Sequence, residues 1–360
     1  MQAPTTDAPA DDVLIRREGR AGRITMNRPH ALNALTHAMV GRIHEALLAW
    51  RDDRAVELVL LDGAGGRALC AGGDVRALYD SRGEGSGLAR AFWSSEYPLN
   101  ALIGRYPKPF VAIQDGIVMG GGIGLSGHAR HRIVTERSRL AMPETGIGLI
   151  PDVGGTWLLA QAPGAAGVYL GLTGEQMAAA DAIHARFADV FVPSEKLADL
   201  TGQLTDTSSG ATPEVIDAFR SDIGFSQLAA RHAEIDRIFA GASVEAMLDR
   251  LAATPGEWAQ KVAATLAQKS PKSLKLTLAA VRGARHLGSL EEALNVEYRL
   301  CVRLFEDGEF PEGVRALLVD KDRKPKWSPP RLADVRPELV AAYLAPLPAG
   351  EELGLIPQRV

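Results

Sequence analysis

Cysteine is scarce in this sequence. Of 360 residues, only Cys70 and Cys301 are cysteines, and they lie far apart along the chain. They cannot form the disulfide framework of a small secreted domain, and they lack the close spacing of a cysteine metal site. The eight histidines show no metal-site spacing either. The composition therefore favours a protein of a reducing compartment, and we expect no metal centre.

Long apolar runs and an excess of one charge are also absent. The longest apolar candidate, at 109–126, is interrupted by Gln114 and Asp115, and a membrane helix needs roughly 18 uninterrupted apolar residues. Forty basic and 44 acidic residues give a net charge of -4, which argues against attraction to nucleic acid or a membrane. The acidic N-terminal stretch lacks the order of a secretion signal and the arginines of a transit helix. These features predict a cytoplasmic protein.

Strand and helix patterns alternate in the first half of the chain, and helical patterns alone follow from about residue 194. Strands are predicted at 13–17, 23–26, 57–61, 109–113 and 132–135, and Thr36 is predicted to cap the first helix. This alternation is typical of parallel βαβ-type units, so the fold class is α/β. We predict a disordered tail at 1–11, an α/β core at 12–204, a helical region at 205–335 and a C-terminal tail at 336–360.

Glycine is concentrated in two loops, at 70–74 and 116–124, and each follows an apolar strand. Glycine permits close approach of the backbone to a ligand, and free N–H groups at such turns favour an anion. Two loops could thus supply two N–H donors to one developing oxyanion, although tight turns and close helix packing are the alternative. The match to a dinucleotide-binding pattern at 122–127 begins inside a longer glycine run, so it is a weak signal.

Three acidic residues stand in apolar surroundings. Glu144 and Asp152 lie eight residues apart among apolar residues and glycines, and Glu96 falls on the apolar stripe of a predicted helix at 88–104. Poor solvation raises the pKa of a carboxyl group and suits it to acid–base catalysis. The alternatives are that Asp152 caps a helix starting near Gly154, that Glu144 is a turn residue, and that Glu96 forms a buried ion pair with an arginine.

Several motifs in a fixed order resemble the enoyl-CoA hydratase/isomerase (crotonase) superfamily, and more narrowly its 3-hydroxyisobutyryl-CoA hydrolase branch. The resemblance covers roughly residues 12–335, and the joint occurrence of the motifs is specific. The motifs are NRP at 27–29, ALNAL at 31–35, AGGD at 71–74, EY at 96–97, GGG at 120–122, MPETGIGLIPDVGG at 142–155, SLKLTL at 273–278, EYRL at 297–300, EGVRALLVDKD at 312–322 and PKW at 325–327.

The resemblance implies a spiral of ββα units followed by a helical C-terminal region. It also implies a site in which the N–H groups of Gly73 and Gly121 hold the thioester carbonyl. Glu144 and Asp152 would be catalytic, and Glu96 would bind the substrate together with Gly121, Glu144 and Asp152. Coenzyme A enters as part of the substrate, so no separate cofactor is expected. A homo-oligomer is compatible with the sequence.

One departure separates hydrolases from hydratases. Hydratases that use two glutamates carry one of them two positions beyond the triple glycine, where this chain has Gly124. The other corresponds to Glu144, and Asp152 is an additional acidic residue. The sequence therefore predicts hydrolysis of a short β-hydroxyacyl-CoA in valine breakdown, with 3-hydroxyisobutyryl-CoA as the favoured substrate. A hydratase or isomerase of the same fold and a non-catalytic acyl-CoA-binding protein are the alternatives.

Overall fold

The computed structural model describes residues 11–357, and most of the predicted N-terminal tail lies outside this range. The described chain forms two β-sheets surrounded by helices. Its strands are β1 (Val13–Glu18), β2 (Ala21–Met26), β3 (Leu58–Gly63), β4 (Ala68–Cys70), β5 (Phe110–Gln114), β6 (Ile117–Met119), β7 (His131–Val134), β8 (Arg139–Ala141) and β9 (Val190–Phe191).

The chain adds strands to the two sheets in turn. The larger sheet has the order β1-β2-β3-β5-β7-β9, and the smaller has the order β4-β6-β8. Strands β1 and β2 form an antiparallel hairpin, and the other paired strands run parallel. From β3 onward, successive turns of the chain place one strand in each sheet before a helical segment returns. This is the predicted spiral of ββα units, and the α/β fold class is confirmed.

The helices of the first half separate the strands, and those of the second half follow one another. Thr36 caps the first helix by accepting a hydrogen bond from the Met39 N–H, as predicted. The helices up to the last strand are α1 (His37–Asp52), α2 (Val75–Asp80), α3 (Gly87–Gly104), α4 (Gly121–Ser126), α5 (Gly155–Gln161), α6 (Ala166–Thr173) and α7 (Ala179–His184). Those after it are α8 (Leu197–Asp206), α9 (Thr212–Phe219), α10 (Gln227–Ala230), α11 (His232–Phe239), α12 (Val244–Ala252), α13 (Glu257–Ala267), α14 (Pro271–Ala284), α15 (Leu290–Glu306), α16 (Glu309–Val314) and α17 (Pro337–Leu344).

The larger sheet is buried on both faces, which explains why its central strands are almost wholly apolar. Along β3 the side chains alternate, because successive residues of a strand point to opposite faces. Val59 and Leu61 join the main core, whereas Leu58 and Leu60 pack against α8 and α9 through a smaller cluster that includes Leu200. The larger sheet is thus packed on both faces, and the glycine loops follow β4 and β6 of the smaller sheet.

The helical C-terminal region contributes to the same core as the α/β part. Helix α15 packs on α3 and α5, and α14 packs on α5 and α6. Helix α16 contacts the short 3-10 helix at Glu144–Ile147. Helix α17, which lies within the segment assigned to the C-terminal tail, packs on α14 and α15. These contacts bring side chains from residues 290–314 to the glycine loops.

Candidate active site

The first glycine loop follows β4 and is held by a short bridge to Leu35. The Leu35 N–H donates to the Gly72 carbonyl at 2.9 Å, and the Asp74 N–H donates to the Leu35 carbonyl at 2.9 Å. Gly72 has a φ of +123°, a conformation that only glycine adopts without strain. Gly73 lies between Gly72 and Asp74 in the sequence, and its N–H donates to no acceptor within residues 11–357. The loop therefore presents a free backbone donor.

The motif residues around Asn33 fix the strand from which this loop emerges. The Asn33 side chain accepts a hydrogen bond from the Arg28 N–H at 2.8 Å, and its amide donates to the Ala68 carbonyl at 2.7 Å. Arg28 in turn donates to the Ala34 carbonyl at 2.8 Å and forms an ion pair with Asp74 at 3.3 Å. The NRP and ALNAL motifs thus support the first loop.

The second glycine loop ends β6 and opens α4 against the first loop. Gly120 has a φ of +47°, and α4 begins at Gly121. A Cβ on Gly121 would lie 3.2 Å from the Gly73 nitrogen and 2.8 Å from Oε1 of Glu96. The Gly121 N–H, at the first position of its helix, also donates to no acceptor in the described part of the chain. The structure therefore brings the two predicted donors together beside a carboxyl group.

All three predicted carboxyl side chains line one cavity of about 80 Å³ with these glycines. Glu96, Glu144 and Asp152 are 2%, 4% and 6% exposed. Oε1 of Glu96 and Oε2 of Glu144 have no hydrogen-bond partner among the described residues, and no basic side chain is paired with Glu96 there. A Cβ on Gly120 would lie 3.0 Å from Oε1 of Glu144, which places this carboxyl at the second loop. The rest of the lining is mainly apolar: Val75, Leu78, Phe92, Trp93, Ile147, Leu149, Val153 and Phe310.

Asp152 is held from α3 and does not cap α5. The Tyr97 hydroxyl donates to Oδ2 of Asp152 at 2.8 Å, and its oxygen lies 3.3 Å from the Cys301 sulfur. The start of α5 is instead satisfied by Glu297 of α15. Our sequence reasoning assigned no role to Tyr97 or Glu297, although both lie within motifs of the family resemblance. Glu297 interrupts a buried stripe of α15, the same signal that identified Glu96.

Burial raises the pKa values of the three carboxyl groups. It raises the pKa of Glu144 and of Glu96 well above the ordinary value, and the nearby charge of Asp152 adds to both effects. Burial also raises the pKa of Asp152 to about 6, and the hydrogen bond from Tyr97 opposes that rise. Carboxyl groups with pKa values near the working pH are suited to proton transfer. Because the groups interact, they titrate as a unit.

The position that would carry the second glutamate of a hydratase is closed by packing. A Cβ on Gly124 would lie 2.7 Å from the Cβ of Val153 and 2.8 Å from Nδ2 of Asn100. Contacts this short do not occur between real side chains, so neighbours would have to move before even alanine fitted. The cavity therefore combines Glu144 with Asp152.

Residues 11–357 contain neither clustered metal ligands nor a membrane-spanning helix. No group of three or more histidine, cysteine, aspartate or glutamate side chains is arranged to hold a metal ion. No helix in this range has the length and apolar character needed to cross a membrane.

Comparison with known proteins identifies relatives over nearly the whole chain. Residues 21–344 match the family model described as enoyl-CoA hydratase/isomerase. The chain is 43% identical to the protein of Danio rerio named 3-hydroxyisobutyryl-CoA hydrolase, mitochondrial, with 91% of this chain and 88% of that one covered. It is 38% identical to 3-hydroxyisobutyryl-CoA hydrolase 1 of Arabidopsis thaliana, with 98% and 96% covered.

Two solved structures share the fold closely. One is described as a carnitinyl-CoA dehydratase from Mycobacterium thermoresistibile, with a TM-score of 0.90, 45% identity and coverage of 95% of this chain and 98% of that one. The other is described as an enoyl-CoA hydratase from Rhodobacter sphaeroides, also with a TM-score of 0.90 and 45% identity, covering 96% and 100%. The predicted resemblance is confirmed.

Proposed function

Because the chain belongs to the enoyl-CoA hydratase/isomerase family, we propose that it acts on an acyl-CoA thioester and hydrolyses 3-hydroxyisobutyryl-CoA to 3-hydroxyisobutyrate and free coenzyme A. The relatives named as this hydrolase support the proposal at about 40% identity over more than nine-tenths of the chain. The proposed reaction would then be a step in valine breakdown. The names of the two solved structures favour the alternative, a hydratase or dehydratase of the same fold.

The choice of hydrolysis over hydration rests on which positions of the cavity carry a carboxyl group: position 152 does and position 124 does not. Hydration of a double bond in the two-glutamate manner needs a carboxyl group at Gly124, where Val153 and Asn100 fill the space. Asp152 instead supplies the second acidic group, and its Oδ2 is held by the Tyr97 hydroxyl. Thioester hydrolysis needs an oxyanion site, a nucleophile or base and a proton donor, and this arrangement offers all three.

In the proposed mechanism, the thioester carbonyl oxygen receives hydrogen bonds from the N–H groups of Gly73 and Gly121. Glu144 reacts as its carboxylate, in the form of the interacting pair whose proton lies on Asp152. It either attacks the carbonyl carbon to form an anhydride or removes a proton from an attacking water. The carbon–sulfur bond breaks, and the leaving sulfur takes a proton that we assign to Asp152. On the anhydride route a water molecule then attacks the anhydride, returns one proton to Asp152 and releases the acid and the Glu144 carboxylate. On the water route the proton taken by Glu144 passes back to Asp152. Both routes consume one water and yield one carboxylic acid and one thiol.

We assign Glu96 to the hydroxyl group of the acyl chain. Its Oε1 has no partner among the described residues, and it lies close to Gly121. Burial raises the pKa of Glu96 well above the ordinary value, so the neutral carboxyl can both donate to and accept from a substrate hydroxyl. This contact would favour β-hydroxyacyl groups over plain acyl groups of the same length.

We further propose that the enzyme needs no cofactor beyond the coenzyme A of its substrate, and that it acts in the cytoplasm. Balanced charge supports the absence of nucleic-acid or membrane partners. The vertebrate relatives carry the word mitochondrial in their names, so cell fractionation is the test of location. A homo-oligomer is compatible with the proposal, and light scattering of the purified protein tests it.

The deciding experiment measures two products with one panel of substrates. Wild-type protein is given 3-hydroxyisobutyryl-CoA and a short enoyl-CoA, and free thiol and enoyl absorbance are followed together. We expect thiol release from the hydroxyacyl-CoA and little hydration of the enoyl-CoA. Asp152→Asn keeps the shape of the side chain but cannot exchange a proton near neutral pH, so thiol release should be lost. Rapid enoyl hydration by wild type without thiol release would establish the alternative.

A further inference from the structure

A buried carboxyl group from the C-terminal region holds the segment that follows Asp152. Glu297 on α15 is fully buried. Its Oε2 accepts a hydrogen bond from the Gly154 N–H at 2.7 Å, and its Oε1 accepts one from the Thr156 N–H at 2.9 Å. The Thr156 hydroxyl is also bonded to Oε1. Both oxygens are therefore engaged by groups at the start of α5, two to four residues after Asp152.

The segment held in this way has an unfavourable backbone conformation. Val153 has a φ of +53°, and Gly154 has a φ of +78°. Glycine adopts such angles easily, but a β-branched residue does so only when its surroundings enforce them. On the other side of the turn, Nε2 of His128 lies 2.8 Å from the Val153 carbonyl oxygen. Burial lowers the pKa of His128 to about 4, so the ring is neutral and donates this bond as the Nε2–H tautomer.

This turn sets the direction of the Asp152 side chain. The left-handed Val153 places its own side chain against Gly124 and leaves Asp152 lining the cavity, where Oδ2 meets the Tyr97 hydroxyl. Without an acceptor from Glu297, the N–H groups of Gly154 and Thr156 would be buried without partners. The turn could then relax toward the extended conformation that valine prefers, and the Asp152 carboxyl would move.

We propose that Glu297 is a positioning residue for Asp152, acting through the Val153–Gly154 turn with His128 as its counterpart on the opposite side. The proposal rests on the proposed function, because it requires Asp152 to take part in the reaction. Glu297 touches neither substrate nor the reacting atoms in this scheme. Its loss should therefore lower kcat and leave KM nearly unchanged, since the glycine donors and Glu96 remain in place.

A double-mutant cycle separates positioning from simple structural support. Glu297→Gln replaces one acceptor oxygen with an amide nitrogen, which cannot accept from the buried N–H groups. We expect kcat to fall about 10²-fold, the usual size for a displacement of about 1 Å at a reacting group, with KM within about twofold. In an Asp152→Ala background, whose residual rate comes from the oxyanion donors, the same change should lower kcat less than about twofold.

A matched control uses the same helix and the same substitution. Glu291 on α15 is nearly buried and forms an ion pair with Arg105 at 2.6 Å. Glu291→Gln should lower the melting temperature but leave kcat within about twofold of wild type. If Glu297→Gln does not fold, the cycle is run with His128→Phe, which removes the bond to the Val153 carbonyl and preserves a ring of similar volume.

Three results would overturn the proposal. The first is that Glu297→Gln lowers kcat by the same factor in wild type and in Asp152→Ala, which would show general structural support. The same outcome counts for His128→Phe if that variant replaces Glu297→Gln. The second is wild-type kcat in the folded variant. The third is wild-type kcat in Asp152→Ala. This result would remove Asp152 from the proposed mechanism, so it would contradict the proposed function as well as the role of Glu297.

Discussion

The hydroxyl group of Tyr97 lies between Asp152 and Cys301, donating to Oδ2 of Asp152 at 2.8 Å with the Cys301 sulfur at 3.3 Å. Tyr97 belongs to α3 and Cys301 to α15, so one hydroxyl joins the α/β part and the C-terminal helices at the carboxyl group that we assign to the reaction. A hydrogen bond donated to a carboxylate stabilises its ionised form. Tyr97 therefore partly offsets the effect of burial on the pKa of Asp152.

Removing that hydroxyl should change the pH dependence of the reaction. In Tyr97→Phe the hydrogen bond that lowers the pKa of Asp152 is lost, so its pKa should rise above about 6. The apparent pKa values in a profile of kcat/KM between pH 5 and 9 should then move to higher pH. Tyr106→Phe is the control, because it removes a buried hydroxyl that donates to the Leu47 carbonyl at 2.7 Å. A Tyr97→Phe profile that is unchanged or moves to lower pH would contradict this reasoning.

The oxyanion site that we propose should not tolerate a side chain on its second loop. A methyl group at Gly121 would lie 3.2 Å from the Gly73 nitrogen and 2.8 Å from Glu96, in the space we assign to the thioester. We expect Gly121→Ala to lower kcat/KM at least about 10²-fold, the typical cost of losing one oxyanion donor. Circular dichroism should show a folded protein. Gly202→Ala, at a helical glycine with open space around it, should retain full activity.

Glu144 can be tested for both of its candidate roles. Glu144→Gln keeps the size of the side chain and removes the nucleophile or base, so kcat should fall by about 10² or more with little change in substrate affinity. Single turnover of wild type in water labelled with oxygen-18 tests the anhydride route. Label in the Glu144 carboxyl requires the anhydride, opened by water at the Glu144 carbon, whereas label only in the product acid fits either attack by water or opening of the anhydride at the substrate carbon. Wild-type turnover by Glu144→Gln would exclude both routes.

The sequence predicted the parts of this molecule that follow from composition and local pattern. The longer strands and the cap at Thr36 were expected within a few residues of their observed positions. The glycine loops predicted two backbone donors, and the family resemblance assigned these to Gly73 and Gly121. Strands β4, β6 and β8 were missed because each has three residues, too few to show a period of two. They form the smaller sheet, from which both glycine loops emerge.

The residues that hold Asp152 were harder to predict from the sequence, since they come from segments that are distant along the chain. Glu297 reaches Gly154 across 143 positions of sequence, and Tyr97 reaches Asp152 across 55. The alternative that Asp152 caps α5 relied on sequence proximity, whereas in the structure Glu297 of α15 accepts from the first N–H groups of that helix. Glu297 nevertheless lies on the buried stripe of its helix, as Glu96 does, so the same sequence pattern could have identified it.

The closed space at Gly124 yields the last prediction, which concerns conversion to a hydratase. Because a Cβ there would lie 2.7 Å from the Cβ of Val153, Gly124→Ala should lower the free energy of unfolding by about 1–3 kcal/mol, as overpacking does. Gly283→Ala, in α14 with open space around it, should be neutral or stabilising by about 0.5–1 kcal/mol. Denaturant unfolding of the two variants measures the difference.

The clash can be relieved from the opposite side. Val153→Gly removes the Cβ in question and eases the left-handed backbone at that position, so the double variant should recover most of the stability lost in Gly124→Ala. For the same reason, Gly124→Glu in an Asp152→Gly background should yield an unstable protein without enoyl-CoA hydratase activity. A Gly124→Glu protein that melts like wild type and hydrates a short enoyl-CoA would show that Val153 and Asn100 move aside, and that packing at this position does not separate the two reactions.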